Sequence, residues 1–257
     1  MSIVSFKFLV VILIIVVAFL GGYLAFKIKK NKNSTLYFSL GNTFAAGIFL
    51  GAGLIHMLPD ASEGFVQTMD SDFPYAPFIA SLGFLLILFI EKIMINEEDL
   101  SSKTTSQKTT SYPYILISIL SIHSVIAGIA FGTENQIAQS IIIAIVILAH
   151  KGSAAFALAI SMLKSGLKKQ SIIKLIVMFS FMTPLGIMIG SFIINVLSGS
   201  AAEFSIAMFD ALAAGTFIYV AIMDIFQEEF KNRQNTYMKF IMSVLGLLLM
   251  ALLAVWL

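Results

Sequence analysis

The chain has no cysteine among its 257 residues, only three histidines, one tryptophan and five prolines, and only 12% of its residues are charged. Without cysteine there can be no disulfide framework, no thiolate metal site and no cysteine nucleophile. The scarcity of charge excludes most soluble folds, since a water-soluble domain is about 25% charged and about 45–50% apolar, whereas 59% of this chain is hydrophobic. The formal net charge of +2 comes with no basic patch interleaved with aromatics, so nucleic acid is not expected as a partner. Polar sequence is also scarce. Only 96–111 (NEEDLSSKTTSQKTTS) is polar enough for a loose loop, being rich in Ser, Thr and Lys with no apolar face to bury.

What remains is apolar sequence in long runs. A transmembrane helix needs about 20 apolar residues, so a chain of this length with short connections holds about eight. Hydropathy and breaks place them at 6–26, 38–58, 74–95, 112–132, 137–161, 171–197, 204–227 and 237–257. Runs such as Ile141 to Leu148 do not alternate apolar with polar residues, which excludes a β-barrel. The expected fold class is all-α: residues 1–257 as a single polytopic membrane domain of eight transmembrane helices. The first span exceeds the 7–15 residues of a signal-peptide core and is followed by Lys27, Lys29, Lys30 and Lys32, so it reads as retained. No internal repeat is evident by eye.

Lysine and arginine segregate sharply under this threading. Apart from Lys7 and Lys151, every basic residue falls in or beside the loops after spans one, three, five and seven. Cytoplasmic loops carry such an excess, which predicts both termini outside and the polar loop inside, in a plasma or inner membrane.

Ionisable groups at membrane depth cost about 2.5–3.5 kcal/mol each on insertion scales, so those that persist mark cavities or partners. His123 lies 11 residues into span four and His150 13 residues into span five. At about 1.5 Å per residue both reach the midplane. Two imidazoles at one depth on consecutive antiparallel helices suit a borderline divalent ion such as Zn²⁺ or Fe²⁺; the alternative is that each bonds a backbone carbonyl. Small residues surround them, Ser124, Ala127, Gly128 and Gly132 in span four and Gly152 to Ala155 in span five, and predict close approach of these two helices. Lys151 opposes a second metal beside His150. Asp210 is deep enough for a pathway or ion-pair role, with Lys151 as one candidate partner, whereas Glu91 and Glu228 read as solvated end charges. Pro184, inside Thr183-Pro-Leu-Gly186, predicts a kink in span six or a break that exposes carbonyls.

Four segments in order resemble the ZIP family of divalent metal transporters. Span two closes in Gly47-Ile-Phe-Leu-Gly-Ala-Gly-Leu-Ile-His56-Met-Leu-Pro-Asp60, similar to the family's His-Leu-Leu-Pro-Glu ending. Span four carries His123-Ser-Val-Ile-Ala-Gly, like its His-Ser-x-x-Glu-Gly signature. Span five carries His150-Lys151-Gly, as in the branch with lysine at the second place. Spans six and seven supply Met182-Thr-Pro-Leu-Gly186 and Ala213-Ala-Gly-Thr-Phe-Ile-Tyr219. The resemblance implies eight helices, no enzymatic activity and no cofactor, with Zn²⁺ or Fe²⁺, and manganese as a further candidate, passing as substrate into the cytoplasm through a site between spans four and five. It implies His123, Ser124 and His150 as metal contacts and His56, Asp60, Asp210 and Asp224 as pathway residues. The implied partners are the metal ion and the lipid bilayer, with a homodimer left open. One departure stands out: where the family has a carboxylate four residues after the first histidine, this chain has Ala127. That loss opens an alternative, a degenerate relative that binds metal or a partner without transporting.

Overall fold

The computed structural model describes residues 2–29, 32–94, 112–134, 136–196 and 200–255. The polar loop 96–111 and the extreme ends expected for spans three, six and eight lie outside the described residues. Among the described residues every regular element is helical, as lipid requires, since a spanning segment must satisfy its backbone polar groups internally.

Eight helices are long and apolar enough to cross a membrane. We label them α1 (Ile3–Lys29), α2 (Ser34–Thr68), α3 (75–94), α4 (Tyr112–Thr133), α5 (Ile137–Lys164), α6 (Lys169–Val196), α7 (200–231) and α8 (Thr236–Ala254). α2 runs ten residues past its predicted end. The helix widens to π geometry over Ala52–Met57 just before Pro59, so the donor that proline lacks falls where the ladder is already shifted. The continuation carries Asp60 and Glu63 above the apolar stretch. α3 and α7 contain the same feature at Ile90–Met94 and Val220–Phe226. α6 runs without a break through Pro184, so the broken-helix alternative does not hold. α5 stops in a Schellman turn, with Gly166 at φ 74 and bonds from Gly166 N to the Leu163 carbonyl and from Leu167 N to the Met162 carbonyl. Asn235, at φ 54, turns the chain into α8.

The helices divide into an inner and an outer set. In the most hydrophobic windows of α2, α4, α5 and α7, 56–72% of residues are buried, against 22% in those of α1, α3 and α8. Each inner helix is backed by one outer helix: α5 by α1, α2 by α8, α7 by α3 and α4 by α6. Reciprocal glycines make each pairing. A Cβ at Gly21 would collide with the Gly152 carbonyl, at Gly47 with the Ser243 carbonyl, at Gly83 with the Leu212 carbonyl and at Gly128 with the Thr183 carbonyl; on the facing helices Gly246, Gly215 and Gly186 are crowded by backbone in the same way, while Gly152 meets the Val17 side chain. The glycines of α4 and α5 therefore face α6 and α1, which corrects the expectation that they draw the two histidine helices together, whereas Ser124 of α4 is bonded to Lys151 of α5.

These contacts group the chain into α1, α4, α5 and α6 on one side and α2, α3, α7 and α8 on the other, meeting along α2 with α5 and α4 with α7. The pairing is also repetitive: α1 on α5 and α2 on α8 correspond to α6 on α4 and α7 on α3, with π segments at matching places in α2 and α7. This regularity escapes inspection of the sequence.

Candidate metal-ion site

His123 and His150 project into the seam between the two helix groups, where they are 2% and 5% exposed. Their ring centroids are 5.6 Å apart with the planes at 73°. Phe217 of α7 lies against both. It stacks on His123 at 3.5 Å and 28° and meets His150 edge-on at 5.2 Å, and Phe49 of α2 stacks behind it at 5.0 Å. Backbone groups of Ala213 and, one turn back, Val146 come near His123 and His150 respectively. Neither contact is aligned well enough to satisfy the rings: both nitrogens of His123 and Nδ1 of His150 have no hydrogen-bond partner among the described residues. Buried imidazole nitrogens left in this state are available as ligands. Two of them make an incomplete shell, and among the described residues no group of three or more His, Cys, Asp and Glu could hold an ion. Any cation here completes its coordination with water or backbone oxygen.

The neighbours of the pair explain why. Ala127, four residues after His123 on the same helix face, is buried and has no oxygen to offer. Lys151 is bonded away from any carboxylate. Its Nζ donates to Ser124 Oγ at 3.0 Å and to the Phe179 carbonyl of α6 at 3.0 Å, 3.6 Å above the Phe179 ring. Ser124, expected beside the metal, is thus the acceptor for Lys151. The anticipated pairing of Lys151 with Asp210 is not made.

Carboxylates lie on both sides of the histidines. Towards the face remote from the lysine-rich loops, His56 Nδ1 in the π segment of α2 lies 2.9 Å from Asp60 Oδ2, without the alignment of a hydrogen bond. His56 is within electrostatic range of both His150 and Asp210. Towards the lysine-rich face, Asp224 is buried in the π segment of α7 beside Glu91. Glu91 is no solvated end charge: its side chain is 12% exposed and accepts from Tyr219 Oη at 2.7 Å and Lys92 Nζ at 2.6 Å. Glu228, paired with Lys231 and 68% exposed, is the solvated charge expected. A cavity of about 390 Å³ opens here, with Asn42, Glu91, Asp224 and Glu229 in its wall.

Glu229 went unnoticed in the sequence, where it is one of two glutamates in a terminal turn. The fold buries it among four helices. Its carboxylate accepts from Ser39 Oγ (2.5 Å) and Asn42 Nδ2 (2.8 Å) of α2 and from Lys164 Nζ (2.7 Å) of α5, while its backbone carbonyl accepts from Lys239 Nζ (2.6 Å) of α8. Phe217 was equally unmarked, because an aromatic in an apolar span reads as packing.

The family model of the ZIP zinc transporters matches the chain over residues 4–113 and 96–254. Among curated relatives, zinc transporter ZIP1 of Danio rerio is 29% identical over 252 residues, covering 83% of each chain. ZIP1 of Mus musculus is 26% identical over 248 residues, covering 82% of this chain and 76% of its own. Zinc transporter 11 of Arabidopsis thaliana is 26% identical over 284 residues, covering 99% and 86%. With eight apolar helices, a histidine pair at the seam and a family match along nearly its whole length, the chain belongs to the ZIP zinc transporter family, whose members are multi-pass membrane proteins that carry metal ions.

Proposed function

We propose that this protein carries divalent metal cations, zinc foremost with iron or manganese as alternatives, across a plasma or inner membrane towards the cytoplasm through a midplane site formed by His123 and His150. The observation that carries this reading is the pair of buried, facing imidazoles, of whose nitrogens both of His123 and Nδ1 of His150 lack a hydrogen-bond partner among the described residues. Their separation suits one ion at zinc–nitrogen distances of about 2.0–2.1 Å with little adjustment. The segregation of basic residues to the loops after α1, α3, α5 and α7 supports extracytoplasmic termini and a cytoplasmic lysine-rich face. The ion then passes from His56, Asp60 and Asp210 to the histidine pair and on to Asp224 and Glu91. Two imidazoles and water bind weakly, which favours passage, because conduction requires that ions leave as readily as they enter. No catalytic role, resident cofactor or second subunit enters this account.

Uptake of radioactive zinc into proteoliposomes containing the purified chain tests it. His123→Ala and His150→Ala should each reduce the rate by at least tenfold. Full uptake in both variants would sink the site. Ala127 and the two-ligand shell favour a second reading, binding without transport. In that case the parent moves no zinc and Ala127→Glu confers uptake; under the leading reading the parent transports, and the added carboxylate tightens binding.

A further inference from the structure

Away from the histidines, the lysine-rich face has a groove where α1, the end of α5 and the start of α6 meet. Its volume is about 480 Å³, within the range of about 300–1,000 Å³ typical of ligand sites. Its walls include Phe19 and Phe26 of α1, Leu163 of α5 and Ile173 of α6. Phe19 and Ile173 are 46% and 37% exposed, on outer helices whose free surface faces lipid. The mouth is cationic. Lys27 and Lys29, in the last turn of α1, meet Lys169, which the Schellman turn after α5 folds back beside them, with Nζ 6.0 Å from the centre of the Phe26 ring. None of the three has an ion-pair partner among the described residues.

An apolar trough running along the helices, closed at the water boundary by three lysines without counter-charges, matches a ligand with an anionic head and an aliphatic tail. A free phosphate would engage the mouth and leave the walls uncovered. A neutral lipid would cover the walls and leave the charge unanswered. We propose that the groove is a binding site for an anionic phospholipid, with its headgroup phosphate among Lys27, Lys29 and Lys169 and an acyl chain along Phe19 and Ile173. Basic pockets between spans hold anionic headgroups in this way. The groove shares no residue with the proposed ion path, so this inference stands apart from the transport reading.

Native mass spectrometry of the full-length chain in detergent, titrated with phosphatidylglycerol or phosphatidylcholine of matched acyl chains, is the test. Retention of phosphatidylglycerol should be on the order of a hundredfold greater, each of the three lysines contributing roughly fivefold. Combined Lys27→Gln, Lys29→Gln and Lys169→Gln should abolish the preference while leaving phosphatidylcholine retention unchanged. Ile173→Trp, which fills the trough, should lower retention of phosphatidylglycerol, and excess inorganic phosphate should not displace it. Equal retention of both lipids by the parent overturns the proposal without recourse to any variant. So does a preference that survives the triple substitution, unchanged retention in Ile173→Trp, or displacement by inorganic phosphate.

Discussion

At the scale of single residues, the most informative side chain is Lys151. A buried ammonium beside the two histidines would raise the potential there, and Lys151 is bonded to Ser124 Oγ of α4 and the Phe179 carbonyl of α6. Both are neutral, so when it is protonated its charge has no counter-charge and opposes a cation at the histidines. Lys151→Met keeps the length and removes the charge. It should tighten zinc binding on the order of tenfold, measured by competition with a chromophoric chelator, without loss of the folded state. Weaker binding in this variant would mean that the lysine assists the ion instead. The same charge accounts for Ser124, whose hydroxyl the sequence motif assigns to the metal and the fold assigns to Lys151.

At the scale of the element, glycine decides which helices touch. Gly128 on α4 faces the Thr183 carbonyl and Gly186 of α6, and its counterparts on the other three pairs are equally crowded by backbone. Backbone cannot yield as a flexible side chain can, so a large residue at such a crossing forces the helices apart. Gly128→Leu should destabilise the protein by about 3 kcal/mol or more, or prevent its accumulation. Leu82→Ala, at a lipid-facing position of α3 that is 46% exposed, should change stability by less than about 0.5 kcal/mol. Thermal unfolding in detergent, followed by tryptophan-independent circular dichroism, separates the two. Equal tolerance would show that the crossings are looser than described.

At the scale of the whole molecule, two groups of helices meet at a seam, and the histidines lie in it. His123 and His150 belong to one group, while His56 and the covering Phe217 belong to the other. The lysine-rich end of the seam is tied by Glu229, which reaches Lys164 of α5 from α7 while holding Ser39 and Asn42 of α2. Removing the carboxylate leaves the buried Asn42 amide and Ser39 hydroxyl without their acceptor and strands one ammonium. Breaking a fully buried pair costs about 3–5 kcal/mol, but Lys164 is 43% exposed and solvent screens its share. Glu229→Ala should therefore cost about 2–3 kcal/mol, read as a lowered unfolding midpoint, and Glu229→Gln, which retains hydrogen-bonding atoms, should cost less. No change in midpoint for Glu229→Ala would remove the tie from the account.

Composition and hydropathy determined the number of spans and their helical nature, because a lipid solvent leaves a chain of this length and greasiness few alternatives, and four short motifs carried the resemblance to the family. The position of His123 and His150 midway along α4 and α5 was legible too, since it is a count of residues along each helix. The rotation of each helix about its own axis was not legible. Only tertiary packing decided that the glycines of α4 and α5 face α6 and α1, that Lys151 is bonded to Ser124 and the Phe179 carbonyl, that Glu91 is bonded to Tyr219 rather than solvated, and that Glu229 and Phe217 stand at the seam. In lipid both faces of a span can be apolar, so the periodicity that reveals the inward face of a soluble helix is nearly absent, and close backbone contact settles which face turns inward.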